Sequence, residues 1–205
     1  VERMKLTSSP HFVRSIAQPY TVWHNCFTDE QLDSIITSHD QLGVFQSQVG
    51  SESEFDQSIR KSSSSFHHKT DQNSWIFERI LHMVEVTNDM FFQFDLLGFE
   101  KYQYTVYNNE DYYDYHVDTM FGTMPINQES HLTRKLSLTI LLNDPDEFEG
   151  GNFELCYGTP KEALSFKLNK GTAIFFPSYM LHRVTPITRG VRKSLVVWTL
   201  GPKFK

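Results

Sequence analysis

Three side chains in the sequence have the types that hold a metal ion: His116 and Asp118, separated by Val117, and His182. Residues two apart in an extended strand point to one face, so His116 and Asp118 would aim a ring nitrogen and a carboxylate at the same point. Two imidazoles with one carboxylate suit a non-haem Fe(II) that keeps open coordination positions. Of the nine histidines, His182 is the best third ligand, because it starts a late apolar strand just after the Pro177-Ser178 break. Arg192 follows the turn "TRG", and a hairpin between "HRVTPI" and "RKSLVVW" would bring it back to the same cavity. A guanidinium there can clamp a carboxylate with two parallel hydrogen bonds. Each residue also has a plain reading, since a surface His and Asp often share a polar face and an Arg after a turn is usually solvated. The four residues gain weight from their order, with only strand-like sequence between them.

Residues so far apart need a rigid frame. The segments "KYQYTVY", "DYHVDTM", "KLSLTILLN", "GNFELCY", "LSFKL", "GTAIFFPS", "LHRVTPI" and "RKSLVVWTL" are rich in aromatic and β-branched residues and are separated by Asn, Asp, Gly and Pro. Eight strands with no helical period between them predict an antiparallel double-sheet roll. Upstream, Thr28 and Gln31 form a capping box at the start of "FTDEQLDSIITSHDQ", with Phe27, Leu32, Ile35 and Ile36 on one stripe. A second helix is expected from Ser74, with Ile76, Ile80, Met83, Val84 and Val86 at helical spacing and a stop at Asn88-Asp89. The serine-rich piece from "SQVGSESEFDQS" to "IRKSSSSFHHKT" reads as a loop followed by an irregular strand. The fold class expected is mainly β with flanking helices, in one domain over 1–205: helical and loop support over about 1–100, and a roll over about 101–205.

Composition narrows the function. The 205 residues carry a formal net charge of -6, with no clustered Lys and Arg to meet a phosphate backbone, so no nucleic-acid partner is expected. Aromatic residues make up 14%, which suits a ring-rich interior. Cys26 and Cys156 form no CxxC pair and read as reduced core residues. No apolar run reaches membrane-helix length and "VERMKLTSSPHFVRS" lacks a signal's apolar segment, so a soluble, cytoplasmic protein without a membrane partner is expected. Nothing in the sequence sets an oligomeric state. His67, His68 and His131 are expected to be non-ligands, and "NDPDEFE" a charged hairpin loop and not a calcium site.

Taken together, these motifs resemble the Fe(II)/2-oxoglutarate-dependent oxygenases, and within them the prolyl 4-hydroxylase-like branch. The similarity covers roughly Tyr102 to Leu200, with a looser match over the two helices. It implies a double-stranded β-helix, or jelly roll, with N-terminal helices packed on one sheet. It implies that His116, Asp118 and His182 hold iron, and that Arg192 binds the distal carboxylate of 2-oxoglutarate, with Tyr107 and Ser194 beside it. Tyr113, Arg134 and Trp198 stand where that branch lines the site for its target proline, and Gly150-Gly151 matches a glycine pair that opens a central strand. There are two departures. Glu110 replaces a glycine six residues before the first ligand, and Leu141 replaces a cosubstrate-contacting tyrosine, which leaves a hydroxyl such as Thr139 for that contact.

The resemblance implies a dioxygenase that uses Fe(II), 2-oxoglutarate and O2, supported by ascorbate, to hydroxylate an unactivated C–H bond with release of succinate and CO2. Proline in a peptide or protein is the leading substrate. Free proline, another amino acid or a small metabolite is the alternative with the same chemistry. Two other classes stay open: a non-catalytic jelly-roll module that holds a peptide or sugar in an aromatic cleft, and a hydrolytic zinc enzyme, disfavoured by the lack of an H-E-x-x-H setting. If the strand is regular, Tyr113 and Tyr115 share a face opposite Tyr112.

Overall fold

The computed structural model describes residues 19–47, 58–99, 101–119, 132–156 and 158–204. The loop expected over 48–57, the end of a strand reaching Met120, His131 and the segment before residue 19 lie outside the described residues. In chain order the elements are β1 (Thr21–Trp23), α1 (Asp29–Leu42), β2 (Phe45–Gln46), β3 (Arg60–Lys61), β4 (Ser63–His68), α2 (Ser74–Thr87), β5 (Lys101–Tyr107), β6 (Tyr112–His116) and β7 (Leu132–Leu141). They continue with β8 (Phe148–Gly150), β9 (Phe153–Cys156), β10 (Ala163–Phe166), β11 (Ala173–Pro177), β12 (His182–Val184), β13 (Ile187–Gly190) and β14 (Arg192–Pro202).

The capping box forms as its spacing predicts: Thr28 Oγ1 accepts from Gln31 N, and Gln31 Oε1 accepts from Thr28 N at 3.0 Å. α1 buries Leu32, Ile35 and His39, and α2 buries Ile76, Phe77, Ile80, Met83 and Val84. Asn88 does not stop the second helix at once. The chain makes one wider turn over Asn88–Phe92 and leaves through Gln93 at φ 52, while the Asn88 amide clasps both the N–H and the C=O of Phe94. The segment "NDPDEFE", expected as a charged hairpin loop, contains a capped turn over Pro145–Glu147, with Asp144 as its cap. Cys26 and Cys156 are buried free thiols.

Two antiparallel sheets make the roll. The larger runs β1-β11-β7-β14-β5-β4-β2, the smaller β10-β9-β12-β6-β3, and β13 pairs with β8 alone. Alternation decides what each face of the larger sheet does. Tyr102, Tyr104, Leu136, Leu138, Ile140, Leu195 and Val197 pack on the two helices in one core. The residues between them, such as Ser137, Thr139, Arg192 and Ser194, face the smaller sheet. Fully burying each of these apolar side chains is worth about 1.5–3 kcal/mol, so the helix-covered face is the anchor of the fold.

The expected hairpin between "HRVTPI" and "RKSLVVW" does not form. β12 pairs with β6 and β9 in the smaller sheet, β13 pairs with β8, and β14 is central in the larger sheet between β7 and β5. Arg192 therefore reaches the interior because the chain crosses from one sheet to the other. No helix among the described residues is long and apolar enough to cross a membrane.

Candidate active site

Between the sheets lies a cavity of about 570 Å³. His116 ends β6 and His182 begins β12, and the register pairs them directly across the strands. Directly opposed residues have Cβ atoms roughly 4.5–5.5 Å apart, which is why the two rings meet, with centroids 4.1 Å apart. Asp118 is not in the strand. The expected strand ends at His116, and Asp118 sits in the bend beyond, fixed by the N–H groups of Asp118 and Thr119, which both donate to Ser178 O at 2.8 and 3.0 Å. Its carboxylate still turns toward the rings: Oδ1 is 3.8 Å from His116 Nε2, and Oδ2 is 3.5 Å from His182 Nε2.

The donor set fits a divalent cation. One donor atom from each of the three side chains lies within 4.8 Å of the others. The Nδ1 atoms face the carbonyls of Asp114 and Met180 at 2.8 and 2.9 Å, which puts the protons on Nδ1 and leaves both Nε2 atoms as acceptors toward the cavity. Burial, with the second imidazole adding to it, pushes His116 down to about 3, so its ring is neutral. Burial alone would raise the Asp118 carboxyl, but the two imidazoles, the Ser137 hydroxyl and Arg134 hold it below the usual carboxylate range. Neutral imidazole and ionised carboxylate are the forms a metal binds.

Across the cavity, the alternation along β14 lines up Arg192, Ser194, Val196 and Trp198. Arg192 is only 2% exposed, opposes Tyr107 in register, and holds its guanidinium 5.6 Å from that ring. Its Nη1 donates to Ser194 Oγ at 3.1 Å, and it makes no ion pair among the described residues. Burial lowers its pKa, yet a guanidinium keeps its proton, so this is a desolvated cation with room for an anion. Thr139 opposes Val196 and lines the same cavity. Gly151 stands behind Arg192 at φ +62, where an added Cβ would overlap Ile187 Cδ1 and come within 2.9 Å of Arg192 Cδ.

Tyr113 lies flat on His116, with centroids 3.5 Å apart and planes 12° apart. Two residues three apart can share a face only if the strand is irregular. The register slips between His182–His116 and Val184–Tyr113, so a bulge in β6 turns both inward. Tyr115 consequently points elsewhere, with its hydroxyl on Glu154 Oε2 at 2.9 Å and the Arg183 guanidinium 4.4 Å over its ring. The face expected for Tyr113 with Tyr115 is thus corrected. Burial pushes the Tyr113 hydroxyl up to about 12, with Arg60 opposing, Asp118 adding, and Arg134 opposing more weakly. Arg134 covers Trp198 at 4.1 Å, and Trp198 Nε1 is buried without an acceptor among the described residues.

Sequence reasoning passed over three parts of this cavity. Arg60 lies 4.6 Å over the Tyr113 ring, but it comes from the segment read as a loop and an irregular strand. Phe66 meets Trp198 at 6.3 Å from that same segment. Ser137 donates to Asp118 Oδ2 and its Oγ also meets Ser178 Oγ at 2.8 Å; its inward position in "KLSLTILLN" was the available signal. Glu110, the departure noted above, takes φ 67, the left-handed conformation that glycine accepts without strain.

Residues 102–200 match the family described as the 2OG-Fe(II) oxygenase superfamily. A PKHD-type hydroxylase of Teredinibacter turnerae is 41% identical over 96 residues, 47% of this chain and 41% of that protein. One from Shewanella frigidimarina is 37% identical over 92 residues, 45% of this chain and 39% of that protein. The chain spans about two fifths of the length of these curated relatives. Among solved structures, the viral collagen prolyl hydroxylase of Paramecium Bursaria Chlorella virus-1 shares the fold with a TM-score of 0.69 at 19% identity, over 91% of this chain and 98% of that one. A Pseudomonas putida prolyl-4-hydroxylase gives 0.68 at 13% identity, over 92% and 95%. The strands carrying His116, His182 and Arg192, and the bend carrying Asp118, all fall inside the residues that match the 2OG-Fe(II) oxygenase superfamily.

Proposed function

We propose that this chain is an Fe(II)- and 2-oxoglutarate-dependent dioxygenase that hydroxylates a proline C–H bond in a peptide. One observation carries the reading: two imidazoles and a carboxylate converge on a cavity whose opposite wall holds a buried guanidinium with no ion pair among the described residues. When bound, the iron supplies O2 activation coupled to oxidation of 2-oxoglutarate to succinate and CO2.

The chain's own residues do the rest. His116, Asp118 and His182 hold the metal on one side and leave its other positions open. Arg192 receives the distal carboxylate of 2-oxoglutarate, and the hydroxyls of Tyr107, Ser194 and Thr139, which line the same cavity, complete that pocket. Tyr113 and Trp198 offer ring faces to a substrate with little to hydrogen-bond, and Arg134 and Trp198 Nε1, which has no acceptor among the described residues, can donate to a neighbouring peptide carbonyl. The apolar walls exclude water from the oxidant and fix one C–H bond near it. Support for proline comes from the structural neighbours, among them a Trichoplax adhaerens prolyl hydroxylase solved with a hypoxia inducible factor peptide.

The test is direct. Kept without O2, the protein with Fe(II) and 2-oxoglutarate should develop a weak visible charge-transfer band, and in air a proline peptide library should gain one oxygen with matching succinate. His116→Ala should lose the metal. Arg192→Ala should keep the metal but need much more 2-oxoglutarate. A protein that binds neither Fe(II) nor 2-oxoglutarate overturns the reading.

A further inference from the structure

The charged groups that line the large cavity are unbalanced. Among the described residues that line it, Arg60, Arg134 and Arg192 are the cations, and Asp118 is the single carboxylate. A bound divalent metal adds two positive charges and a 2-oxoglutarate dianion removes two, so the excess of two survives loading. The chain as a whole is acidic, with a net charge of -6, so this concentration of guanidinium is local and opposite in sign to the rest of the protein.

If Arg192 serves the cosubstrate, the surplus resides on Arg60 and Arg134. Both are at the end of the cavity that holds Tyr113 and Trp198: Arg60 lies 4.6 Å over the Tyr113 ring, and Arg134 lies 4.1 Å over the Trp198 ring. Arg60 Nε donates to Ser62 Oγ at 2.8 Å, which fixes the inner edge of its fork. Neither guanidinium forms an ion pair among the described residues, although Arg60 is buried and burial lowers the pKa of Arg134. Ring faces hold a guanidinium in place without cancelling its charge. Two such groups held out of bulk water on one ligand-sized cavity favour an anion over a neutral occupant.

We propose that the substrate presents a carboxylate to Arg60 and Arg134, so that this site selects for an anionic group next to the carbon it oxidises. The inference rests on the oxygenase reading for its assignment of Arg192. The carboxylate has two sources, an acidic side chain beside the target residue or the free carboxyl of an amino acid or a chain end.

Titration calorimetry without O2, with Fe(II) and 2-oxoglutarate present, tests it with two matched pairs of probes. N-acetyl-proline against N-acetyl-prolinamide examines the free carboxyl, and N-acetyl-Pro-Asp-amide against N-acetyl-Pro-Asn-amide examines the side chain. In at least one pair the carboxylate member should bind on the order of ten- to a hundred-fold more tightly. Arg60→Gln and Arg134→Gln should each erase most of that ratio, while Arg60→Lys keeps part of it, which locates the anion away from Arg192. Equal binding within both pairs, no binding by either carboxylate probe, or a preference untouched by both variants overturns the proposal. The Fe(II)/2-oxoglutarate band, recorded on the same samples, reports the oxygenase reading separately and also shows that each variant is folded.

Discussion

Ser137 donates its hydroxyl proton to Asp118 Oδ2 over 2.7 Å, from a strand of the opposite sheet. The carboxylate is thereby held in one rotamer before any metal arrives. Ser137→Ala should weaken Fe(II) or Co(II) binding roughly 10- to 100-fold, the usual effect of losing a hydrogen bond that orients a metal ligand. Anaerobic metal titration measures this without requiring turnover. Unchanged affinity would show that the bend at Ser178 alone orients Asp118.

Gly151 braces the Arg192 stem. Gly151→Ala puts a methyl group where Ile187 Cδ1 and Arg192 Cδ now sit, at φ +62. We expect a stability loss of about 1–2 kcal/mol from the backbone alone. A displaced guanidinium should also raise the dissociation constant of 2-oxoglutarate several-fold while metal binding stays at the wild-type value. Equilibrium denaturation and ligand titration separate the two effects.

Glu110 offers the opposite experiment. Its side chain is exposed, with a long 3.7 Å contact to Lys61 as its one ion pair among the described residues, while its backbone carries φ 67. Glu110→Gly should therefore stabilise the protein by about 0.5–1 kcal/mol, the left-handed strain relieved less the extra entropy of an unfolded glycine. A rise in denaturation midpoint with an unchanged slope is the expected result.

A pair of histidines should make stability depend on pH. His39 and His67 meet edge to face at 4.3 Å; His39 sits between Ile35 O and Tyr102 Oη, with Tyr104 and Asp40 alongside. Burial holds both rings below 6.5, His67 down to about 4 with His39 opposing its charge further. As pH falls below 6.5 the unfolded chain takes up protons that the folded one refuses, so stability is full above 6.5 and declines toward pH 4. His67→Gln should flatten that slope in urea titrations between pH 7.5 and 5. An unchanged slope would exclude the pair.

Much of the frame was legible because it is built from local patterns. Thr28 and Gln31 announce α1, and the alternation of Arg192, Ser194 and Trp198 foretells one wall of the cavity. What failed was long-range. "TRG" has the composition of a hairpin turn, but turn chemistry does not say which sheet each flank joins, and here the flanks join different ones. The slip that turns Tyr113 onto His116 exists only in the pairing of β6 with β12, some seventy residues away in sequence.

Arg60 was invisible for a related reason. Its serine-rich neighbourhood has no apolar rhythm to mark a strand, and its ring partner Tyr113 belongs to a different part of the chain. Ser137 looked like an ordinary strand residue. A hydroxyl's importance there depends on the bend after His116, which the regular-strand expectation replaced.

The two halves of the candidate site stand on different sheets: the imidazoles on β6 and β12, and the Arg192 guanidinium on β14. A dicarboxylic acid gripped at both ends would be a strut spanning the sandwich. Its arrival should stiffen the whole roll more than metal alone, and a shorter diacid would span the same gap less fully and let the layers breathe. The escape of spent cosubstrate would then be governed by the same gap between sheets that shelters the chemistry.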